Sequence, residues 1–171
     1  MPANDAVTVR PGTATDIEEA LTILGAADAQ RSGRLPHAGE SRGRGRRRLT
    51  GPDTFFFVAE NAATHLVGLA AGMSGREEGG AGQAIPGLCH ISMVAVHPEY
   101  WGKGLGKRLI RALLADGRDR GYDRFQLFTQ ADNARARRLY EGLGFTFTGQ
   151  TAVSDEGENI VHYLQVPFAA S

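Results

Sequence analysis

The sequence predicts a mixed α/β fold in which helices cover one sheet. Three observations lead there. Apolar runs of strand length recur at "TFFFVAEN" (54–61), "THLVGLAAGMSG" (64–75) and "LCHISMVAVHP" (88–98). A run over about 105 to 120 carries Leu105, Leu109, Ile110, Leu113 and Leu114 at helical spacing. A strand, a short helix and two closing strands follow, an order that suits a sheet with helices packed on it.

The elements follow in turn. "VTVR" alternates and reads as a first short strand. In "TATDIEEALTILGAADAQ", Thr15 with Glu18 fits a capping box, and Ile17, Leu21 and Leu24 make a helical stripe. Residues 31–51 are rich in Gly, Arg and Ser and read as a mobile basic loop, with room for one helical turn near Arg46 to Leu49. "NAAT" can turn the chain between the first two strong strands, and "REEGGAGQAIPG" reads as a flexible connection to the third. Pro98 ends that third strand. "DRFQLFTQ" is a further strand and "NARARRLYEGLGF" a short helix, with Gly144 placed for the left-handed position after its last turn and Phe145 for packing back. "FTFTGQTAV" and "NIVHYLQVPF" are closing strands, joined as a hairpin through "SDEGE".

Composition bounds the function. The 171 residues suit one domain, 1–171, with a real core. Nineteen basic residues balance nineteen acidic ones, so net charge gives no case for a nucleic-acid partner. Cys89 is the single cysteine, which rules out an intramolecular disulfide and any cysteine-based metal site. No apolar run approaches the roughly 20 residues of a membrane span. "MPANDAVTVR" lacks a basic start and an apolar core, so no signal peptide is expected there, and the expectation is a soluble cytoplasmic protein without metal.

The stretch "HPEYWGKGLGKRLIRALL" (97–114) carries the chemistry. Gly102, Gly104 and Gly106 let backbone N–H groups approach a ligand closely. Successive amides in a turn make a concave anion nest, and a helix starting near Leu105 adds its own unpaired N–H groups and dipole. Lys103, Lys107 and Arg108 can add charge at the rim. The spacing fits neither a Walker loop, which needs Gly-Lys-Ser/Thr, nor the Gly-x-Gly-x-x-Gly dinucleotide fingerprint. A phosphate or pyrophosphate cradle remains, beside the plainer alternative of a turn whose glycines serve shape alone.

"ISMVAVHPEYWGKGLGKRLI" resembles the acetyl-CoA-binding segment of the GCN5-related N-acetyltransferases: an apolar strand, a Pro-containing turn, then Gln/Arg-x-x-Gly-x-Gly/Ala opening a helix. Gly104 and Gly106 match its glycines, whereas Trp101 stands where the family has Gln or Arg. "NARARRLYEGLGF" is similar to the family's later motif, with Asn133, Tyr140, Gly144 and Phe145 in place. The resemblance implies a mostly antiparallel central sheet flanked by helices and direct attack of an amine on acetyl-CoA in a ternary complex. It implies that Val94, Ala95 and Val96 bond the pantetheine arm through strand backbone, beside a bulge where the strand splays from its neighbour. By the same resemblance, Trp101, Gly102, Lys103, Gly104, Leu105, Gly106 and Lys107 surround the pyrophosphate. Asn133 touches the cofactor arm, and Tyr140 protonates the leaving thiolate or holds a water that does so. Many relatives carry a Glu eight residues before the Pro. Here that position is His90, a candidate general base because histidine as a residue type titrates near neutrality. His162 and Glu60 are weaker candidates, His97 shapes the turn, and Cys89, facing opposite His90, belongs to the core.

Arg42, Arg44, Arg46, Arg47 and Arg48 read as a solvated charge run, with recognition of an acceptor carboxylate or phosphate as the functional alternative. The expected partner is a small-molecule amine. A protein N-terminus or lysine as acceptor, or a non-catalytic acyl-CoA sensor, are the rival readings. Such proteins often dimerise through sheet edges, so a homodimer is an expectation too.

Overall fold

A computed structural model describes residues 6–34 and 39–166. Pro167 and Phe168 of the closing strand, residues 35–38 of the basic stretch and the first five residues lie outside the described part. Eleven main elements follow in chain order. They are β1 (Thr8–Pro11), α1 (Ile17–Ser32), α2 (Glu40–Leu49), β2 (Phe55–Glu60), β3 (Leu66–Arg76), β4 (Ala84–Val96), α3 (Leu105–Asp119), β5 (Arg124–Gln130), α4 (Ala134–Gly142), β6 (Thr146–Val153) and β7 (Asn159–Gln165). The strands are hydrogen-bonded in the order β1-β2-β3-β4-β5-β7-β6. The β4–β5 ladder is parallel, while β1–β2, β2–β3, β5–β7 and β6–β7 are antiparallel. The mixed, mostly antiparallel sheet with helices is the fold class expected.

The chain packs as two compact units. The first takes in the residues up to Met73 together with Ser92–Asp116, the second Ser74–Ile91 and the residues from Gly117 onward. In the first unit Ala20, Leu21 and Ile23 of α1, Leu49 of α2, Phe56, Val58, Leu66, Leu69 and Ala71 of β2 and β3, and Met93 and Ala95 of β4 form one buried apolar cluster. Leu109 of α3 comes so close to β3 that a Cβ on Gly68 would stand 2.9 Å from its Cδ1. In the second unit Phe125 and Leu127 of β5, Tyr140 and Phe145 around α4, and Val161 and Tyr163 of β7 are buried.

Three expectations need correction. The cap of the first helix is Thr13 with Asp16, not Thr15 with Glu18: the Thr13 amide donates to Asp16 Oδ2 at 2.8 Å, and a 3-10 turn over Ala14–Asp16 precedes α1. Arg10 selects that cap by gripping the Asp16 carboxylate with two N–H groups, at 2.8 and 3.0 Å. The guanidinium holds the Asp16 carboxyl below its ordinary range. Second, the basic loop of 31–51 is largely helical, because α1 runs to Ser32 and α2 occupies Glu40–Leu49. Tertiary contacts make α2. Gly45 is buried close against α1, since a Cβ there would lie 2.7 Å from Leu21 Cδ2 and force that side chain to shift, and Leu49 enters the core. On the same helix Arg42 and Arg46, four apart, reach Glu18 at 3.3 and 2.8 Å and hold its carboxyl down to about 2. Third, the flexible connection is shorter than read, since β3 continues to Arg76 and β4 already begins at Ala84.

The C-terminal elements match their reading. Gly144 sits at φ 90°, and the Phe145 amide returns to the Tyr140 carbonyl at 3.0 Å. Ser154 closes the β6–β7 hairpin by donating its amide to Glu158 O at 2.8 Å.

Gly45→Val should destabilise the protein by about 1–3 kcal/mol in urea unfolding, because two methyl groups must displace the fully buried Leu21. An unchanged midpoint would show that α2 does not rest on α1 at this position.

Candidate functional site

The glycine turn belongs to the first unit. β4 ends at Val96 and a 3-10 turn over Pro98–Tyr100 follows, capped by His97, whose Nδ1 accepts the Glu99 amide at 3.2 Å. His97 thus shapes the turn, as expected. Gly102 and Gly104 both adopt φ 78°, left-handed backbone that other residues rarely take. A Cβ added at either would meet nothing within 4 Å, so the space beside both Cα atoms is open. The Gly104 carbonyl accepts the Arg108 amide at 3.2 Å, the first bond of α3, which leaves the amides of Leu105, Gly106 and Lys107 with no acceptor inside the helix. Gly106 lies within the helix rather than in the turn.

The side chains around the turn divide. Lys103 Nζ stands 5.7 Å from the centre of the Tyr100 ring, and Lys107 is exposed. Arg108 faces elsewhere, donating to the Val7 carbonyl at 3.0 Å. Trp101 turns its indole N–H onto the Val96 carbonyl at 2.7 Å. It therefore acts as an internal brace between the end of β4 and the glycine turn, and it occupies one of the strand carbonyls considered for the cofactor arm. Val94 and Val96 are half-buried and Ala95 buried, the alternation expected of a half-covered strand. Ser92 Oγ, on the face of β4 that Val94 also occupies, is buried without a hydrogen-bond partner, which costs on the order of 1–3 kcal/mol. Still in the first unit, Arg44, Arg47, Arg48 and Met73 line a shallow depression of about 320 Å³.

The second unit holds the titratable candidates. The β4–β5 ladder pairs Leu88 with Arg124, Cys89 with Phe125 and His90 with Gln126. Cys89 is fully buried, whereas His90 on the opposite face is half-buried. Beside His90 lies a polar chain. Gln126 Nε2 stands 3.4 Å from His90 Nδ1, Gln126 Oε1 is 2.8 Å from His162 Nε2, and His162 Nδ1 is 2.8 Å from Thr148 Oγ1. The Phe128 ring flanks both imidazoles, at 6.4 Å from His90 and 4.9 Å from His162. Burial pushes the His162 pKa down, since a charged ring there would lack water. Gln126 and Thr148 carried no signal in the sequence. Only strand pairing sets them next to histidines 36 and 14 positions away.

Tyr140 is buried and stacked edge-on against Phe145, with Tyr163 at 6.3 Å. Burial raises its pKa well above the usual tyrosine value, so it holds its proton more firmly than a free phenol does. Asn133 caps α4, its Oδ1 accepting the Ala136 amide at 3.2 Å. Near it, Arg137 donates to Tyr163 Oη at 2.9 Å and to the Ala131 carbonyl, and Tyr163 Oη donates to Glu141 at 2.7 Å. Glu60, in the first unit, is bound to Arg10 at 3.1 Å. That pairing occupies a carboxylate oxygen, which weakens its candidacy. Among the described residues, no three His, Cys, Asp or Glu side chains come close enough to hold a metal ion. No described helix is long and apolar enough to cross a membrane.

The family model for the acetyltransferase (GNAT) family matches residues 26–145. A mycothiol acetyltransferase of Thermobispora bispora is 42% identical over 92 residues, which cover 53% of this chain and 30% of that protein. A mycothiol acetyltransferase of Salinispora arenicola is 36% identical over 138 residues, covering 80% of this chain and 42% of that protein. The chain thus spans less than half the length of these curated relatives. Among solved structures, the ribosomal-protein-S18-alanine N-acetyltransferase of Escherichia coli superposes with a TM-score of 0.68 at 22% identity, covering 96% of each chain. PaiA N-acetyltransferase from Thermoplasma acidophilum, in complex with coenzyme A, gives 0.66 at 16% identity, covering 95% of this chain and 99% of that one. At such identities the likeness shows the fold.

Because the folded His162 pKa lies below the unfolded value of about 6.5, the unfolded chain binds the extra proton first. The contribution is fully present above that value and is lost as pH falls through the depressed folded pKa. The melting temperature should therefore start to drop below about pH 6.5, before most carboxylates titrate, and His162→Asn should flatten that part of the curve. An identical slope in the variant would remove His162 as the cause.

Proposed function

Since the chain belongs to the acetyltransferase (GNAT) family, we propose that it is an acetyl-CoA-dependent N-acetyltransferase acting on the primary amine of a small molecule or aminoacyl compound. One observation supports the proposal: two left-handed glycines with open space at their Cα positions lead into α3, whose first amides have no acceptor within the helix. That is an anion cradle, and the pyrophosphate of coenzyme A suits it. The relatives named mycothiol acetyltransferase favour a small-molecule acceptor, while their greater length keeps their own acceptor from being transferred to this chain.

Acetyl-CoA supplies a thioester open to direct attack by an amine. The amides of Leu105, Gly106 and Lys107 bind the diphosphate, with Lys103 and Lys107 adding charge at the rim. Val94 and Ala95 offer strand backbone to the pantetheine arm, a role that Val96 shares less fully because Trp101 holds its carbonyl. Asn133 has spent its side-chain oxygen on the α4 cap and retains its amide N–H groups for the arm. His90 takes a proton from the incoming ammonium, which has no lone pair until it is lost. Tyr140 meets the leaving sulfur. A coenzyme thiol has a pKa near 8.5, and the raised Tyr140 pKa makes full transfer uphill, so the tyrosine stabilises the thiolate chiefly as a hydrogen-bond donor.

Isothermal titration should show acetyl-CoA binding at sub-millimolar concentration, and a thiol-release screen should find turnover with free amines. No binding in that range would overturn the proposal, and turnover confined to peptides would move the acceptor to protein amines. Gly104→Val should weaken acetyl-CoA binding at least tenfold, because valine resists the left-handed backbone. Tyr140→Phe should lower kcat by about 100-fold with acetyl-CoA affinity kept. Equal turnover in mutant and parent would remove the tyrosine from the chemistry.

A further inference from the structure

The chain His90–Gln126–His162–Thr148 has consequences for which nitrogen of His90 can act. An amide donates at Nε2 and accepts at Oε1. With Gln126 Oε1 on His162 and Nε2 on His90, His162 must carry its proton at Nε2 and accept the Thr148 hydroxyl at Nδ1. His90 must then accept at Nδ1, so in its neutral form its proton sits on Nε2. A ring in that state cannot take a proton at Nε2.

One other arrangement satisfies every member. The Gln126 amide turns over, Oε1 accepts from His90 Nδ1–H, and Nε2 donates to His162 Nε2. His162 then donates from Nδ1 to Thr148 Oγ1, and the threonine proton goes to the His162 carbonyl, already 3.4 Å away. Only here is Nε2 of the neutral His90 ring unprotonated, and only here can Nδ1 keep an acceptor when the ring becomes an imidazolium. The side chains set against the two rings from β5 and β6, namely Gln126, Phe128 and Thr148, are uncharged.

We propose that Gln126 is a positioning residue whose amide orientation ties the tautomer of His90 to that of His162, so that His90 Nε2 serves as base only in the turned arrangement. The proposal rests on the acetyltransferase reading for the role of that base. The proton balance is complete. The ammonium gives one proton to His90 Nε2, the amine nitrogen bonds the acetyl carbon as the carbon–sulfur bond breaks, and the second amine proton goes to the departing thiolate. His90 returns its proton to solvent.

The test combines imidazole ¹⁵N shifts of ¹⁵N-histidine-labelled protein at pH 8, which tell Nδ1–H from Nε2–H rings, with steady-state kinetics. In the parent protein the two rings should report matched tautomers, both Nε2–H or both Nδ1–H, with neither ring changing alone. Gln126→Leu removes both links. The match should be lost and kcat should fall at least tenfold, with KM for acetyl-CoA within twofold of the parent. Gln126→Glu offers only acceptors, so it should lock His90 as Nδ1–H and recover most of kcat. Unchanged shifts in the leucine variant, or equal kcat in the leucine and glutamate variants, would overturn the proposal. Should the parent acetylate no amine, the acetyltransferase reading fails by itself, and the ¹⁵N shifts still decide whether Gln126 couples the rings.

Discussion

The register that sets His90 opposite Gln126 is the constraint on which the candidate chemistry depends. Side chains alternate along a strand, so a slip of one residue would exchange His90 for Cys89 or Ile91 and put the imidazole in the core. Three pairs make up this parallel ladder. Its partner strand is secured independently: β5 pairs with β7 over six residues, from Phe125↔Gln165 to Gln130↔Ile160. Gln126 is thereby held on one side by a long antiparallel ladder and offered to His90 on the other. The polar chain is a product of backbone pairing rather than of any local motif.

Burial gives that chain its consequence. His162 is 8% exposed, and a neutral ring with both nitrogens bonded satisfies such a site where a charged one would not. Thr148 ends the chain on exposed β6. Tyr140 obeys the same physics, with burial keeping its proton in place. In the first unit the logic differs. Around the glycine turn the neighbouring side chains mostly brace the backbone: Trp101 on Val96, Arg108 on Val7, His97 on the Glu99 amide.

Trp101 and α2 show where residue-by-residue reading reaches its limit. Position 101 stands by resemblance where a Gln or Arg side chain would contact the cofactor, yet an indole is a donor only and finds a carbonyl five residues back. The stretch from 40 to 49 reads as a loop because its two glycines disfavour a helix and Leu49 is its one large apolar residue, too little for a stripe. Its helix exists because Gly45 admits the close approach of Leu21 and because Glu18 gathers two arginines. Neither partner is near in sequence.

What the sequence determined alone was local and periodic. The alternation of β4, the apolar stripe of α3, the left-handed glycines 102, 104 and 144, and the motif around Asn133 and Tyr140 were all legible, because each depends on neighbours within one turn or one strand. Tertiary structure decided what joins distant segments: the helix at 40–49 against α1, and the Gln126 amide set between two histidines. Pairing of strands far apart in the chain follows from packing of the whole sheet, and no short window of sequence contains it.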